Sequence, residues 1–475
     1  MKKNRPNPGA NKCILWFAYG VVALFLCMAA YMGFFLQEQS ETVINSPYNS
    51  RLDSFSDRIV RGSILSSDGT VLARTVVAED GTETREYPYG ELFAHVVGYS
   101  AAGKTGLESL ANFYLLNSHV NLIEKTVNEL YGKKNIGDNV VTTLDLALQQ
   151  TASNALDGRR GAVVALEPST GKILAMVSNP GFDPNTVAEN WDSLASGDTS
   201  EARLLNRATQ GLYPPGSTFK IVTALEYMRE HPDDYEDFRF DCSGIFQYEE
   251  FRIQCYHQEA HGEVDFSGAF ADSCNGAFAS LGLQLDLEQM KNLAGELLYN
   301  KELPLSLPYN KSSYVMEPGA DAWEILQTSI GQGSTLITPI HNAMLAAAIA
   351  NDGVLMKPYL MDHVENAGGQ TVKKFSPSQY GALMKEEEAE ALSGLMVKVV
   401  NEGTGSALRT DAYQAAGKTG SAEFETGKET HAWFVGFAPA DDPKIAVCVI
   451  VEEGGSGGRA AAPIARAMFD QYLLR

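Results

Sequence analysis

The chain has 475 residues, with 37 Lys and Arg against 59 Asp and Glu, so its formal net charge is -22 at pH 7. This acidity disfavours nucleic acid as a ligand, because a phosphate backbone would be repelled. The length exceeds that of one typical domain and favours two folded units plus an appendage.

The start of the chain predicts a membrane anchor. Basic residues up to Lys12 precede an apolar, uncharged segment from Cys13 to Leu36, which is long enough to span a bilayer as a helix. Because the basic flank comes first, we expect residues 1–12 to be a cytoplasmic tail and everything after the span to lie outside the membrane. A cleaved signal peptide is the alternative, which the length of the apolar segment disfavours.

Residues 37–150 predict a small mixed α+β unit without a reactive cluster. A polar stretch over 37–57 is expected to be an extended stalk. Asp68-Gly69 is typical of a hairpin turn between alternating segments. A helix is expected over 103–130, and Asp145 is expected to cap a later helix that follows a strand.

Residues 151–475 predict an α/β (α+β) fold with a central antiparallel sheet and a helical lobe. Two strands are expected around a turn at 168–171. Three more are expected near the other end, at 414–420, 431–437 and 445–451, before a C-terminal helix over 460–474. Because strands come from both ends of this unit, we expect them to share one sheet, with the helices of 202–400 inserted between them.

A Ser-x-x-Lys motif follows a Pro-Pro-Gly turn. The turn cannot continue a helix, so Ser217 is expected at a helix start, where free N–H groups and the helix dipole favour a developing oxyanion. Lys220 lies one turn further on the same face, and burial would lower its pKa toward that of a usable base. By itself the motif would instead favour a helix cap followed by a solvated lysine.

Two later motifs complete an ordered set that is typical of serine acyl-transferases. In Ser273-Cys274-Asn275, Ser273 is a candidate proton relay, and Asn275 is a candidate partner for Lys220 and for a substrate amide. This tripeptide alone would indicate an ordinary turn or cap. Its position between the other two motifs favours the catalytic interpretation.

The third motif ends a predicted strand. Lys418 and Thr419 offer a cation and a hydroxyl to a carboxylate, and Gly420 lets a ligand approach the backbone. The N–H group of Ser421 is a candidate to complete an oxyanion hole with that of Ser217. An exposed strand end with a solvated lysine is the alternative.

Six cysteines are few for an exported protein. Cys242 and Cys255 flank a turn-rich segment and are a candidate disulfide, which the sequence alone does not decide. His257 and His261 follow closely, but the spacing fits no common zinc module. We therefore expect no metal and no cofactor.

Further segments match one family: 161–168, 206–208, 213–220, 330–333, 338–339, 350–353 and 432–437. With the three motifs, they make the chain from Gly161 onward closely resemble the transpeptidase domain of class B, monofunctional penicillin-binding proteins. Residues 61–64, 106–108 and 142–145 make the first unit resemble that family's dimerisation-like pedestal, in its short form.

This resemblance implies a D,D-transpeptidase of peptidoglycan. Ser217 would attack the penultimate D-Ala carbonyl of a stem peptide ending in D-Ala-D-Ala, with Lys220 as its base. D-Ala would leave, protonated through Ser273, and an amine of a neighbouring stem would resolve the acyl-enzyme. Lys418, Thr419 and Ser421 would hold the terminal carboxylate, and β-lactams would acylate Ser217.

Several alternatives stay open. A D,D-carboxypeptidase would transfer the acyl group to water, and a scaffold in a wall-synthesis complex would use the fold largely without catalysis. A β-lactamase would need a placed carboxylate or a modified lysine, and a membrane sensor would need a signalling region. Because no glycan-polymerising domain is recognised before the pedestal, the resemblance implies a multi-spanning membrane glycan polymerase as partner.

Overall fold

The computed structural model describes residues 8–36, 57–101, 103–196, 201–425 and 427–475. The predicted stalk over 37–57 and the first part of the predicted tail therefore lie almost wholly outside the described residues. In chain order the strands are β1 (Ile59–Val60), β2 (Ile64–Leu65), β3 (Val71–Val77), β4 (Glu83–Glu86), β5 (Asn135–Ile136), β6 (Asn139–Thr142), β7 (Gly161–Leu166), β8 (Ile173–Asn179), β9 (Arg239–Cys242), β10 (Ile245–Tyr248), β11 (Phe251–Gln254), β12 (Gly262–Asp265), β13 (Val354–Met356), β14 (Met361–Glu365), β15 (Thr371–Lys374), β16 (Gln379–Ala382), β17 (Ala416–Ala422), β18 (His431–Ala438) and β19 (Ile445–Val451).

The α-helices alternate with these strands, and most lie in the second half of the chain. In chain order they are α1 (Pro8–Phe34), α2 (Ala94–Val97), α3 (Gly106–Leu110), α4 (Asn112–Leu115), α5 (Leu122–Leu130), α6 (Leu146–Leu156), α7 (Trp191–Ser196), α8 (Arg207–Gln210), α9 (Lys220–Glu230), α10 (Phe266–Ala271), α11 (Asn275–Gly282), α12 (Leu287–Glu296), α13 (Ala322–Ser329), α14 (Pro339–Ile349), α15 (Glu386–Asn401), α16 (Gly457–Ala460) and α17 (Ala462–Leu473).

A five-stranded antiparallel sheet forms the centre of the second unit. Its order is β17-β18-β19-β7-β8, so strands from both ends of the unit pair through β19 and β7. Every residue of β7, β18 and β19 is buried, because helices cover both faces. The prediction of one shared antiparallel sheet with an inserted helical lobe is confirmed. β17 and β8 are the two edge strands.

A second, six-stranded sheet joins the two units. Its order is β15-β14-β6-β2-β3-β4, so the hairpin β14–β15 from late in the chain extends the sheet of the first unit. The β2–β3 hairpin turns at Gly69, where φ is +84°, as the Asp-Gly pair predicts. Asp145 caps α6 by accepting the Leu148 N–H at 2.8 Å, also as predicted. The inserted hairpin is not predicted by any of the sequence patterns described above.

The prediction of a single helix over 103–130 is wrong, because the structure has three shorter helices there, α3 to α5. Tertiary hydrogen bonds take over the backbone groups between them. The Leu115 carbonyl accepts the N–H of Gly62 at 2.9 Å, and the Asn117 carbonyl accepts that of Asp138 at 2.8 Å. The helical pattern is local, whereas these partners lie far away along the chain.

A buried carboxylate holds the first unit together. The side chain of Glu108 is completely buried and accepts hydrogen bonds from Arg61 Nε and Arg85 Nε, both at 2.7 Å. Tyr87 donates its hydroxyl to the same carboxylate at 3.2 Å. Burial raises the pKa of Glu108, but the two guanidinium groups outweigh it, so the net shift is downward and the group is a carboxylate.

We expect Glu108→Gln to lower the free energy of unfolding by about 3–5 kcal/mol, because it leaves two partly buried arginines without their counter-charge. Thermal denaturation of the full chain in detergent measures the loss. Glu86→Gln is the control, since Glu86 pairs with Arg74 at an exposed position and should change nothing measurable. Equal effects of the two variants would contradict the assignment of Glu108 as the centre of the unit.

Near the N-terminus, one helical segment, Lys12–Phe34, is long and apolar enough to cross a membrane. Its apolar window has none of its surface buried against the rest of the described chain. A helix with that surface needs an apolar environment, which a bilayer provides.

Candidate active site

Ser217 lies in a helical turn that begins at a glycine with a positive φ. Gly216–Phe219 form one 3₁₀ turn that leads directly into α9, so Ser217 is at a helix start as predicted. Gly216 has φ +53° and donates its N–H to the carbonyl of Gly331 at 2.8 Å. Ser217 is half-buried, and within the described ranges its hydroxyl makes no hydrogen bond. That hydroxyl is therefore accessible and chemically uncommitted.

Gly331 supports this turn from the other side. It also has a positive φ, +81°, and a Cβ placed there would lie 1.8 Å from the Gly216 carbonyl oxygen. No side chain fits between the two backbones. Gly331 is thus needed for the close approach that holds the Ser217 turn in place.

We expect Gly331→Ala to destabilise the protein by at least about 3 kcal/mol, because left-handed strain and a backbone clash add together. Gly333→Ala is a matched control, since Gly333 has nearly the same φ, +79°, but its nearest neighbour would be the Gln327 Cβ at 3.5 Å. It should cost only the strain, about 1–2 kcal/mol. The two melting temperatures in detergent measure the difference, and similar values would refute the clash.

Lys220 is completely buried beside Ser273 and Asn275. Its Nζ donates to the Ser273 carbonyl at 2.6 Å and to Asn275 Oδ1 at 2.7 Å, and lies 3.3 Å from Ser273 Oγ. Burial lowers the pKa of Lys220 to about 8, with nearby thiols, Cys274 foremost, acting in the opposite direction. About a tenth of Lys220 is therefore neutral at pH 7, far more than for a lysine with its ordinary pKa.

The turn that carries Ser273 is conformationally unusual. Ser273 has φ +58°, which is rare for a serine. It lies just after α10, and its N–H donates to the carbonyl of Phe270 in the last turn of that helix at 3.2 Å. Asn275 begins α11, and its Nδ2 donates to the Gln254 carbonyl at 2.8 Å. The side-chain amide of Asn275 thus links Lys220 to the strand β11. Lys220, Ser273 and Asn275 form one hydrogen-bonded group.

Lys418 lies inside the protein rather than at the surface. Its side chain has no exposed area, and within the described residues its Nζ donates only to its neighbour's carbonyl, Thr419 O, at 3.3 Å. Burial lowers the pKa of Lys418 well below its usual value, and the charge of Lys220 lowers it further, while Asp272 acts in the opposite direction. Burial therefore favours the neutral amine of Lys418, and of the three motif side chains only that of Ser421 is partly exposed.

The end of β17 packs directly against the Ser217 turn. A Cβ on Gly216 would lie 2.9 Å from the Ser421 carbonyl oxygen, and one on Gly420 would lie 3.2 Å from Thr218 Cγ2 and 3.3 Å from Pro215 O. A side chain at Gly420 would therefore be crowded by the turn itself, a constraint that the sequence did not predict. The first and third motifs meet within van der Waals distance.

Sequence reasoning missed two polar residues at this site. Thr404 Oγ1 lies 2.6 Å from Thr419 Oγ1, and Asn342 Nδ2 donates to Thr218 Oγ1 at 3.1 Å. Thr404 lies between two glycines, Gly403 and Gly405. Such a sequence predicts a tight loop that can place the threonine hydroxyl close to a neighbouring segment. Asn342 sits in an almost wholly apolar, buried helix, α14, where a polar residue needs a partner.

Comparisons with known proteins show the family of this chain. A family model described as penicillin binding protein transpeptidase domain matches residues 161–470, and one described as penicillin binding protein A dimerisation domain matches residues 61–140. The peptidoglycan D,D-transpeptidase PbpA of Mycolicibacterium smegmatis is 36% identical over 452 residues, covering 89% of this chain and 90% of that protein.

Solved structures give the same result. Penicillin-binding protein A of Mycobacterium tuberculosis, solved as a ceftriaxone acyl-enzyme, has a TM-score of 0.80 and 32% identity, covering 89% of this chain and 100% of that one. The D,D-transpeptidase domain of a peptidoglycan glycosyltransferase from Eggerthella lenta has a TM-score of 0.78 and 34% identity, over 88% and 99%. The chain belongs to the class B penicillin-binding proteins. With its N-terminal apolar helix, this family membership indicates a membrane-anchored protein.

Proposed function

We propose that the protein is a peptidoglycan D,D-transpeptidase that cross-links stem peptides through an acyl-enzyme on Ser217 and is inhibited by β-lactams. One observation carries the proposal. A serine whose hydroxyl makes no hydrogen bond within the described ranges begins a helix, three residues before a buried lysine whose pKa is about 8, and the end of the edge strand β17 packs against the serine's turn. The family and its named relatives support the same activity.

In the proposed reaction, Lys220 accepts the Ser217 hydroxyl proton as Oγ attacks the penultimate D-Ala carbonyl. The C–N bond to the terminal D-Ala then breaks, and the proton passes to the leaving amine through Ser273, whose Oγ is 3.3 Å from Lys220 Nζ. An amine of a neighbouring stem attacks the resulting ester. Its proton returns by the same route, a new amide bond forms, and Ser217 is released.

Binding is assigned to β17 and the helix start. The N–H groups of Ser217 and Ser421 stabilise the oxyanion. The hydroxyls of Thr419 and Ser421 receive the terminal carboxylate, Gly420 keeps the strand close to the Ser217 turn, and Lys418 adds positive potential when it is protonated. Because β17 is the sheet edge, a peptide can add to it as a further strand.

The proposed organisation follows the sequence boundaries. Residues 1–12 are a cytoplasmic tail, 13–36 the transmembrane anchor, 37–150 the pedestal and 151–475 the transpeptidase domain outside the membrane. Glycan strands are supplied by a multi-spanning membrane polymerase as partner. Crosslinking of the full chain in native membranes that recovers no such protein would count against this partner.

The test uses the full chain in detergent with a stem peptide ending in D-Ala-D-Ala, with and without an excess of a primary-amine acceptor. A transpeptidase releases D-Ala and forms an acceptor-containing amide. A D,D-carboxypeptidase releases D-Ala and gives only the hydrolysed peptide at any acceptor concentration. A scaffold without catalysis releases no D-Ala, and either of these last two results would overturn the proposal.

A further inference from the structure

Four potential metal ligands lie together next to the catalytic lysine. The Sγ atoms of Cys242, Cys255 and Cys274 and one imidazole nitrogen of His261 all lie within 4.8 Å of one another. Cys242 Sγ is 3.6 Å from Cys255 Sγ and 3.3 Å from His261 Nδ1, and Cys255 Sγ is 3.8 Å from Cys274 Sγ. The three cysteines are buried and are free thiols.

The fold assembles this cluster from separate pieces of chain. Cys242 ends β9, where it pairs with Gly262 of β12, the neighbour of His261. Cys255 directly follows β11 and donates its N–H to the Gly244 carbonyl at 3.0 Å. His257 and Gln258 have positive φ values, +53° and +58°, so the chain curls back on itself and returns His261 to the cluster. Cys274 comes from the catalytic motif.

The distances match a tetrahedral metal site. With Zn–S bonds of about 2.3 Å, a regular tetrahedron places its sulfurs roughly 3.8 Å apart. The two sulfur separations of 3.6 and 3.8 Å agree with this spacing. The Ala277 N–H also donates to Cys274 Sγ at 3.4 Å, so the start of α11 supports a thiolate.

We propose that Cys242, Cys255, His261 and Cys274 bind one Zn²⁺ as a closed Cys₃His site. Three thiolates and an imidazole are a donor set that zinc prefers, and four protein ligands leave no open position for a reacting water. The site is therefore structural. This proposal departs from the expectation of no metal, which considered only residues close together in the sequence and did not include Cys274.

The site has a consequence for catalysis, which rests on the proposed function. Asn275 directly follows the ligand Cys274, and its amide bonds the Gln254 carbonyl, next to the ligand Cys255. Its other amide atom, Oδ1, accepts from Lys220 Nζ at 2.7 Å. The metal thus fixes the backbone of Asn275 through Cys274 and its side-chain amide through the segment of Cys255. Because Asn275 positions Lys220, the four ligands act as positioning residues.

Metal content tests the site. We expect the full chain, purified in detergent without chelator, to carry one zinc per chain by mass spectrometry. Cys255→Ser and His261→Ala should each lose it, whereas Cys448→Ser should keep it, because Cys448 is a buried thiol of β19 outside the cluster. Should a ligand variant not fold, Co²⁺ replacement in the unmodified chain should give the intense thiolate-to-cobalt charge-transfer band of a three-thiolate site.

Three results would overturn the site. The reduced chain could take up neither Zn²⁺ nor Co²⁺, or the ligand variants could retain as much zinc as the unmodified chain. The chain isolated from cells could also contain a Cys242–Cys255 disulfide. The positioning role has its own measurement. Removing zinc should slow acylation by a fluorescent penicillin roughly tenfold, and added Zn²⁺ should restore it. An unchanged rate refutes the positioning role alone, whereas failure of the proposed function would instead leave the zinc-loaded chain unlabelled.

Discussion

Ser217→Ala should abolish covalent labelling of the full chain by a fluorescent penicillin, with a loss of at least about 10⁴-fold in acylation rate. The alanine variant has no atom that can form the ester. Its stability should change little, because the Ser217 hydroxyl makes no hydrogen bond within the described ranges and the residue is half-buried. Labelling followed on a denaturing gel, together with a melting curve in detergent, separates loss of the nucleophile from loss of the fold.

The control for this experiment is Ser306→Ala, which removes an exposed serine hydroxyl and should leave labelling unchanged. Equal labelling of Ser217→Ala and the unmodified chain would move the nucleophile elsewhere. No labelling of either protein would remove the site assignment altogether. Rapid loss of label from the unmodified chain would favour a β-lactamase.

Lys220→Arg should lower the acylation rate by about 10²–10⁴-fold, the range for loss of a general base. Arginine keeps a positive charge beside Ser273 and Asn275 but stays protonated at every accessible pH, so it cannot accept the Ser217 proton. Lys444→Arg is the control, since Lys444 pairs with Asp442 at the surface and should have no effect. Acylation of Lys220→Arg at the unmodified rate would rule out Lys220 as the base.

The pH profile gives a second readout of the same assignment. Because the pKa of Lys220 is lowered to about 8, the neutral amine predominates above that pH and is the minor form below it. The acylation rate should therefore fall about tenfold per pH unit below 8 and level off above it. The profile of Lys220→Arg should lack this dependence. An unmodified enzyme whose rate rises as the pH falls would contradict a lysine base.

Local chemistry is enough to predict much of the site. A Pro-Pro-Gly turn stops one segment and starts a helix, so the placement of Ser217 at a helix start follows from backbone sterics. Apolar runs and a turn signal likewise predicted strands of the central sheet, and their position at both ends of the unit predicted that they share one sheet, which the pairing of β19 with β7 confirms. The three motifs indicated their chemistry through their order along the chain, since each of them alone has an ordinary structural interpretation.

Features that depend on contacts between distant parts of the chain could not be predicted from any local sequence pattern. The division of 103–130 into three helices, the hairpin β14–β15 in the sheet of the first unit and the contact of Gly331 with Gly216 each depend on partners distant in the sequence. Thr404 joined the site for the same reason. A local pattern records which backbone geometry a segment prefers, but not which carbonyl or hydroxyl will be placed beside it.

The sequence by itself thus determined the anchor, the fold class and the identity of the candidate nucleophile and base, since these depend on apolar length, the order of apolar runs along the chain and helix-start chemistry. Only the tertiary structure decided the burial that lowers the pKa of Lys220 and the convergence of three cysteines and His261 behind Asn275. Desolvation and ligand geometry are properties of surroundings, and the surroundings of a side chain exist only once distant segments have packed together.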